Sequence, residues 1–171
     1  ANYGDLFIYL KKKIYDNNYL AFEPGLSEFN CLKLNCPGSK LYNYGLGDKD
    51  TIRDFYIESK GADSSFIKPE NFTNIKKVEM KKLDSIIISE NINNVKLLKL
   101  EAEGFEPEVL KGANYFLSIC DYVAVDGGHE RGIKKEETFS IVANHLFNQS
   151  FKLQKINFKG GRALFKKKDK N

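Results

Sequence analysis

The sequence predicts an α/β fold built on a parallel sheet with helices on both faces. Three observations carry that expectation. Segments with helical spacing of apolar residues alternate with short buried-strand patterns along almost the whole chain. Only the stretch from Phe151 to Phe165 changes to a period-two pattern that turns back on itself. The 171 residues suit one domain, long enough to bury roughly 70% of the surface of its unfolded chain.

Leu6, Phe7, Leu10 and Ile14 share one side of a first helix that Asn2 or Asp5 can cap, and Tyr19 to Phe22 reads as a short buried strand. Glu23-Pro24-Gly25 ends it. Ser27 opens a second helix through Phe29, Leu32 and Leu34, stopped by Pro37-Gly38. Lys40 to Gly45 follows as a strand, with Gly47-Asp48-Lys49-Asp50 as its turn. Phe55 to Ile57 and Val78 to Met80 are short strands around a polar loop containing Gly61-Ala62-Asp63-Ser64-Ser65. Leu83 to Ile88 is a short helix capped by Asp84, and Val95 to Leu100 is the clearest buried strand. Glu106-Pro107 starts a helix whose stripe is Val109, Leu110, Ala113, Phe116 and Leu117, because proline suits a first helical position. Tyr122 to Val125 is the next strand. Phe139, Val142, Ala143, Leu146 and Phe147 recur at i, i+3, i+4, i+7 and i+8, an amphipathic helix. Phe151 to Phe158 and Arg162 to Phe165, joined through Lys159-Gly160-Gly161, form an antiparallel hairpin.

Composition excludes several classes of function. No apolar run is long enough to span a membrane, and the first residues show no signal-peptide pattern. Cys31, Cys36 and Cys120 fit neither a zinc nor a redox spacing and read as free thiols of a reducing, cytoplasmic compartment. The net charge of +4 comes mostly from short lysine runs, while arginine occurs only at 53, 131 and 162. That pattern speaks against nucleic-acid binding.

Ligands of open α/β sheets bind at the carboxyl ends of the strands. Here the polar residues gather at such ends: Asn2 to Asp5 before the first helix, then Glu23, Asp48, Glu101 with Glu103, and Asp126-Gly127-Gly128-His129-Glu130-Arg131. Glu23 follows Gly4 by 19 residues, a distance suited to an acidic side chain that accepts from a ribose diol. A nicotinamide cofactor demands a glycine-rich pyrophosphate turn, which Gly4 alone does not supply. S-adenosylmethionine carries an ammonium and a sulfonium, and acid-rich strand ends suit it better. Glu23 is equally readable as an ordinary solvated cap.

More specific are the motifs Ala1-Asn2-Tyr3-Gly4, Phe22-Glu23-Pro24, Leu83-Asp84, Lys99-Leu100-Glu101-Ala102-Glu103-Gly104-Phe105-Glu106 and Val109-Leu110-Lys111-Gly112-Ala113. In order and spacing the chain resembles the FkbM family of methyltransferases. The resemblance implies a Rossmann-like, seven-stranded class I methyltransferase fold, a single domain over 1–171 with S-adenosylmethionine as methyl donor. It implies O-methylation of a small-molecule or sugar hydroxyl, and no metal ligands are assigned. By position, Asn2, Gly4 and Asp5 would shape the amino-acid end of the cofactor, Glu23 would hold the ribose, and Gly47 and Asp48 would lie beside the adenine. Glu101, Glu103 and His129 would face the transferred methyl group, with Glu101 shared between cofactor and catalysis and His129 the candidate base.

Two departures modify the expectation. The match begins inside the cofactor loop, which places the first strand of the fold outside these residues. Glu101 stands where the family has Asp, and a misplacement of about 1 Å is costly in catalysis. The alternative is a degenerate domain that keeps the fold and binds a nucleoside or a protein without catalysis.

Overall fold

The computed structural model describes residues 1–11, 18–58, 64–157 and 161–169. The sequence-based expectations for Ile14, Gly61 to Asp63, Phe158 and Lys159-Gly160 lie outside them. The fold is mixed α/β. In chain order the elements are α1 (Asp5–Lys11), β1 (Leu20–Phe22), α2 (Leu26–Asn35), β2 (Lys40–Tyr42), β3 (Gly45–Leu46), β4 (Thr51–Ile57), β5 (Asn74–Lys81) and α3 (Leu83–Ser89). They continue with β6 (Val95–Leu100), α4 (Glu106–Lys111), α5 (Asn114–Ser118), β7 (Cys120–Asp126), α6 (Phe139–Asn148), β8 (Phe151–Asn157) and β9 (Arg162–Lys167).

Among the described residues the strands form three hydrogen-bonded groups, β1-β2, β3-β5-β4 and β6-β7-β9-β8. The pairs β1/β2, β3/β5 and β6/β7 are parallel, and β9 runs antiparallel between β7 and β8. The expected strand over 40–45 is thus two short pieces, and the pair expected around the polar loop is a longer antiparallel hairpin, β4/β5.

The main core lies on one face of the four-stranded sheet. Leu100, Val123, Val125 and Phe165 project from it into a cluster with Val109, Leu110 and Leu117 from α4 and α5, and Val142 and Leu146 from α6. Each such buried side chain stabilises the fold by about 1.5–3 kcal/mol relative to exposure. A smaller cluster of Phe7, Ala21, Leu32 and Cys36 fastens α1 and α2 to β1. The other face of the four-stranded sheet, expected to be covered, is an open cleft over Lys99, Ala124 and Leu164.

Long-range contacts set the local departures. The helix expected from Glu106 to Leu117 is broken into α4 and α5 at Gly112, where an added Cβ would stand 2.0 Å from the Gly47 carbonyl oxygen. Asp84 does not cap its own helix. Its carboxylate accepts from the backbone N–H of Tyr115 (3.0 Å) and Phe116 (2.8 Å) at the start of α5. The Nε2 of His145, on α6, is buried without a partner, and burial pushes its pKa down.

β8 carries a register shift. Leu153 faces Phe165 and Lys155 faces Leu164, so Gln154 is an extra residue between them.

Candidate active site

The first part of the site is the turn before α1. Asn2 (φ 53°) and Gly4 (φ 91°) take the left-handed conformation, and a Cβ on Gly4 would lie 2.6 Å from Cys36 Sγ, so α2 packs where only glycine fits. Glu23, at the end of β1, ties this turn to α2. Its Oε2 accepts from the backbone N–H of Asn2 (2.6 Å) and from the nitrogen of Ala1 (3.1 Å), and its Oε1 from the N–H of Gly25 (2.9 Å). A carboxylate has about four lone-pair positions, so these three donors leave room for about one more. The Asn2 side-chain Oδ1 is buried with no partner, an acceptor without a donor. Asn43 donates to the Glu23 carbonyl (2.9 Å) and joins Glu23 to the end of β2.

The second part is the segment 101–104, after β6. Glu101 is exposed, and its carboxylate pairs with Lys99 Nζ. Glu103 stands at φ 49°, unusual for a residue other than glycine, and three neighbours hold it there. Ser65 Oγ donates to its carbonyl (2.7 Å). Fully buried Glu106 accepts through Oε1 from the N–H groups of Ala102 (2.7 Å) and Gly104 (3.2 Å), and its Oε2 is buried without a partner. Arg131 Nη1 donates to the Gly104 carbonyl (2.6 Å). The same guanidinium clasps Glu108 in two-point fashion, at 2.9 and 2.7 Å. Gly104 (φ 87°) admits this approach, since a Cβ there would stand 2.6 Å from Arg131 Cα.

Charge draws the two parts together. Burial pushes the Lys99 ammonium below its ordinary pKa, and the carboxylates of Asp126, Glu103 and Asp5 act on it in the opposite sense. Glu101, after β6, pairs with this lysine, while Asp5 of α1, Glu103 and Asp126 at the end of β7 act on it through their charge. A cleft of about 490 Å³ opens beside them, lined by Lys99, Glu101, Ala124, Asp126, Lys155 and Arg162 among others. His129 lies exposed on the loop after β7.

Gly47 is placed elsewhere. It is wedged against Met80, hydrogen-bonds to the Lys81 carbonyl (3.0 Å) and meets Gly112, with exposed Asp48 beside it. Its contacts run to β5 and to the end of α4 rather than to Glu23 or Glu101. Among the described residues no three His, Cys, Asp or Glu converge to hold a metal ion. No helix there is long and apolar enough to cross a membrane.

Residues 1–153 match the family profile described as the methyltransferase FkbM domain. The chain belongs to the FkbM methyltransferase family. A curated relative, Methyltransferase 1 of Beauveria bassiana (strain ARSEF 2860), is 27% identical over 157 residues, an alignment that covers 71% of this chain and 62% of the relative. The chain thus spans somewhat less than two thirds of that protein. No solved structure gives a significant match.

Membership of the FkbM family implies a methyl donor such as S-adenosylmethionine. The residues fit such a group. Its ammonium and ribose hydroxyls are hydrogen-bond donors, and the first part of the site offers the orphaned Asn2 Oδ1 and the remaining capacity of Glu23. Sequence reasoning missed Asn43 and Ser65, whose hydrogen-bond partners are distant in sequence, and Lys99, which pairs with Glu101 two residues on. It read Glu106 only as the start of a helix, although its burial and its two backbone donors make it the clamp of the segment 101–104.

Proposed function

We propose that this chain is a single domain that transfers a methyl group from S-adenosylmethionine to a hydroxyl of a small molecule or sugar. The observation that carries the reading is the cleft at the carboxyl ends of β6 and β7, lined by the Lys99–Glu101 ion pair and by Asp126, in a chain of this family. The fold completes the reading. The order β2-β1 and β6-β7-β9-β8 suits two halves of one seven-stranded sheet. Among the described residues β1 and β6 each have one unpaired edge. β3, β4 and β5 are then an insertion between the halves.

When bound, the cofactor supplies an electrophilic methyl carbon on a sulfonium. Glu23 and Asn2 hold its ribose and ammonium through their acceptor oxygens. Glu101 and Glu103, kept in place by Glu106, Arg131 and Ser65, align the acceptor at the strand ends, where most of the rate advantage of a displacement arises. His129 takes the hydroxyl proton on Nδ1 or Nε2.

Calorimetric titration of S-adenosylhomocysteine tests the reading. Micromolar affinity in the wild type, lost in Glu23→Ala and Asn2→Ala, is expected. A folded chain that does not bind would be a non-catalytic member of the family.

A further inference from the structure

The bulge in β8 has an effect on the cleft. With unbroken pairing from Leu153 and Phe165, Lys155 would face Ala163 and point to the buried side of the sheet. The extra residue Gln154 puts Lys155 opposite Leu164 and Asn157 opposite Arg162, so both turn to the cleft. Bulges commonly re-aim side chains beside functional sites. Here the side chain delivered is a cation.

The charges of the cleft do not cancel. Lys99 is paired with Glu101, and Arg162 Nε donates to Asp126 (2.7 Å). Among the described residues no carboxylate pairs with Lys155. The bond from Nε to Asp126 fixes the Arg162 guanidinium and leaves its two terminal nitrogens for a further acceptor, the fork that matches a carboxylate or phosphate. Both cations sit on the C-terminal hairpin, on the far side of the cleft from Lys99 and Glu101. β6 and β8 are three strand spacings apart, roughly 14 Å at the backbone. With side chains reaching inward from both sides, the gap suits a single sugar or aromatic ring.

We propose that the acceptor carries an anionic group, a carboxylate or a phosphate, which Lys155 and Arg162 hold so that a hydroxyl on the opposite side of the ring lies at Glu101. The inference rests on the methyl-transfer reading and adds the substrate class to it. Asp126 is then a positioning residue for Arg162.

Matched ligands test it by calorimetry in the presence of saturating S-adenosylhomocysteine: glucose against glucose 6-phosphate and glucuronate, and catechol against 3,4-dihydroxybenzoate. In at least one set the charged member should bind about tenfold more tightly at low salt, with the advantage shrinking as salt screens it. Lys155→Met and Arg162→Met should each reduce that advantage roughly threefold to tenfold, as expected of exposed charge pairs. Lys155→Arg should retain it. Lys152→Met, which removes a lysine of the same strand outside the cleft, should leave it unchanged. Equal binding of charged and neutral members, no binding of any charged member, or an advantage indifferent to both cation variants overturns the proposal. If S-adenosylhomocysteine binds while any of these holds, the anionic subsite falls and the methyl-transfer reading stands; if it does not bind, both fall.

Discussion

Arg131→Met is the substitution that most directly probes the segment carrying Glu101 and Glu103. It removes two charge-assisted bonds to Glu108, at 2.9 and 2.7 Å, and one to the Gly104 carbonyl, at 2.6 Å. The side chains of the pair are 23% and 14% exposed, so the interaction is screened less than at the surface and more than in a dry core. Hydrogen bonds to charged groups contribute about 1.5–3 kcal/mol each when buried, and exposed ion pairs about 0.2–1 kcal/mol. Between those limits the variant should lose about 2–4 kcal/mol, much of it from stranding the Glu108 carboxylate rather than from losing attraction. Urea unfolding measures this as a lower midpoint at unchanged slope. The double variant Arg131→Met/Glu108→Met should cost about 1–2 kcal/mol less than the sum of the single ones, because neither partner is left alone. A single-variant loss under about 0.5 kcal/mol, or strict additivity in the double variant, would refute the clamp.

Three further outcomes follow from other contacts. Gly112→Ala places a Cβ against the backbone carbonyl of Gly47, whose own N–H donates to the Lys81 carbonyl and holds it in place, so it should destabilise by about 2–3 kcal/mol or more in thermal or urea melts. His145 is held below its ordinary pKa by burial, with Lys111 adding to the effect, so it favours folding when neutral. That contribution is present above the unfolded value of about 6.5 and is lost as pH falls through the depressed folded value; His145→Gln should flatten the stability profile in this window, as urea melts from pH 7.5 to 5 would report. Burial pushes the Cys120 thiol up to about 11 and raises Cys36 as well. At pH 8 a thiol reagent should therefore count only half-buried Cys31 in the native chain and three thiols in denaturant.

What the sequence conveyed was chiefly periodicity. β1, β6, β7, α6 and the terminal hairpin were legible because their apolar spacing is local and each buries one face. Asp84 was not, because its role is to cap the start of a helix 31 residues away. The break at Gly112 was equally hidden: its neighbours favour helix, and only the approach of Gly47 requires an interruption there. At the candidate site, Glu101 and Glu103 were proposed from their place after a strand, and Asp5 from the loop leading into the first helix. The turn of Gly47 and Asp48 also follows a strand, yet it seats against Met80 and Gly112. Arg131 was visible as a cation, but its partner depends on how the loop after β7 folds back over α4, which no local pattern encodes. The bulge in β8 was masked by an alternation that reads as unbroken from Phe151 to Phe158.

β8 is also the outermost strand of its sheet, and its outer backbone groups are offered to any extended chain that drifts past. Four consecutive exposed residues, Lys152, Leu153, Gln154 and Lys155, mark this border, and two of them are charged. An incoming strand would have to match an irregular ladder and bring counter-charges for both lysines. The irregularity that turns Lys155 inward is thus also a guard against self-assembly, and straightening the strand by deleting Gln154 would be expected to favour aggregation during concentration, visible by light scattering.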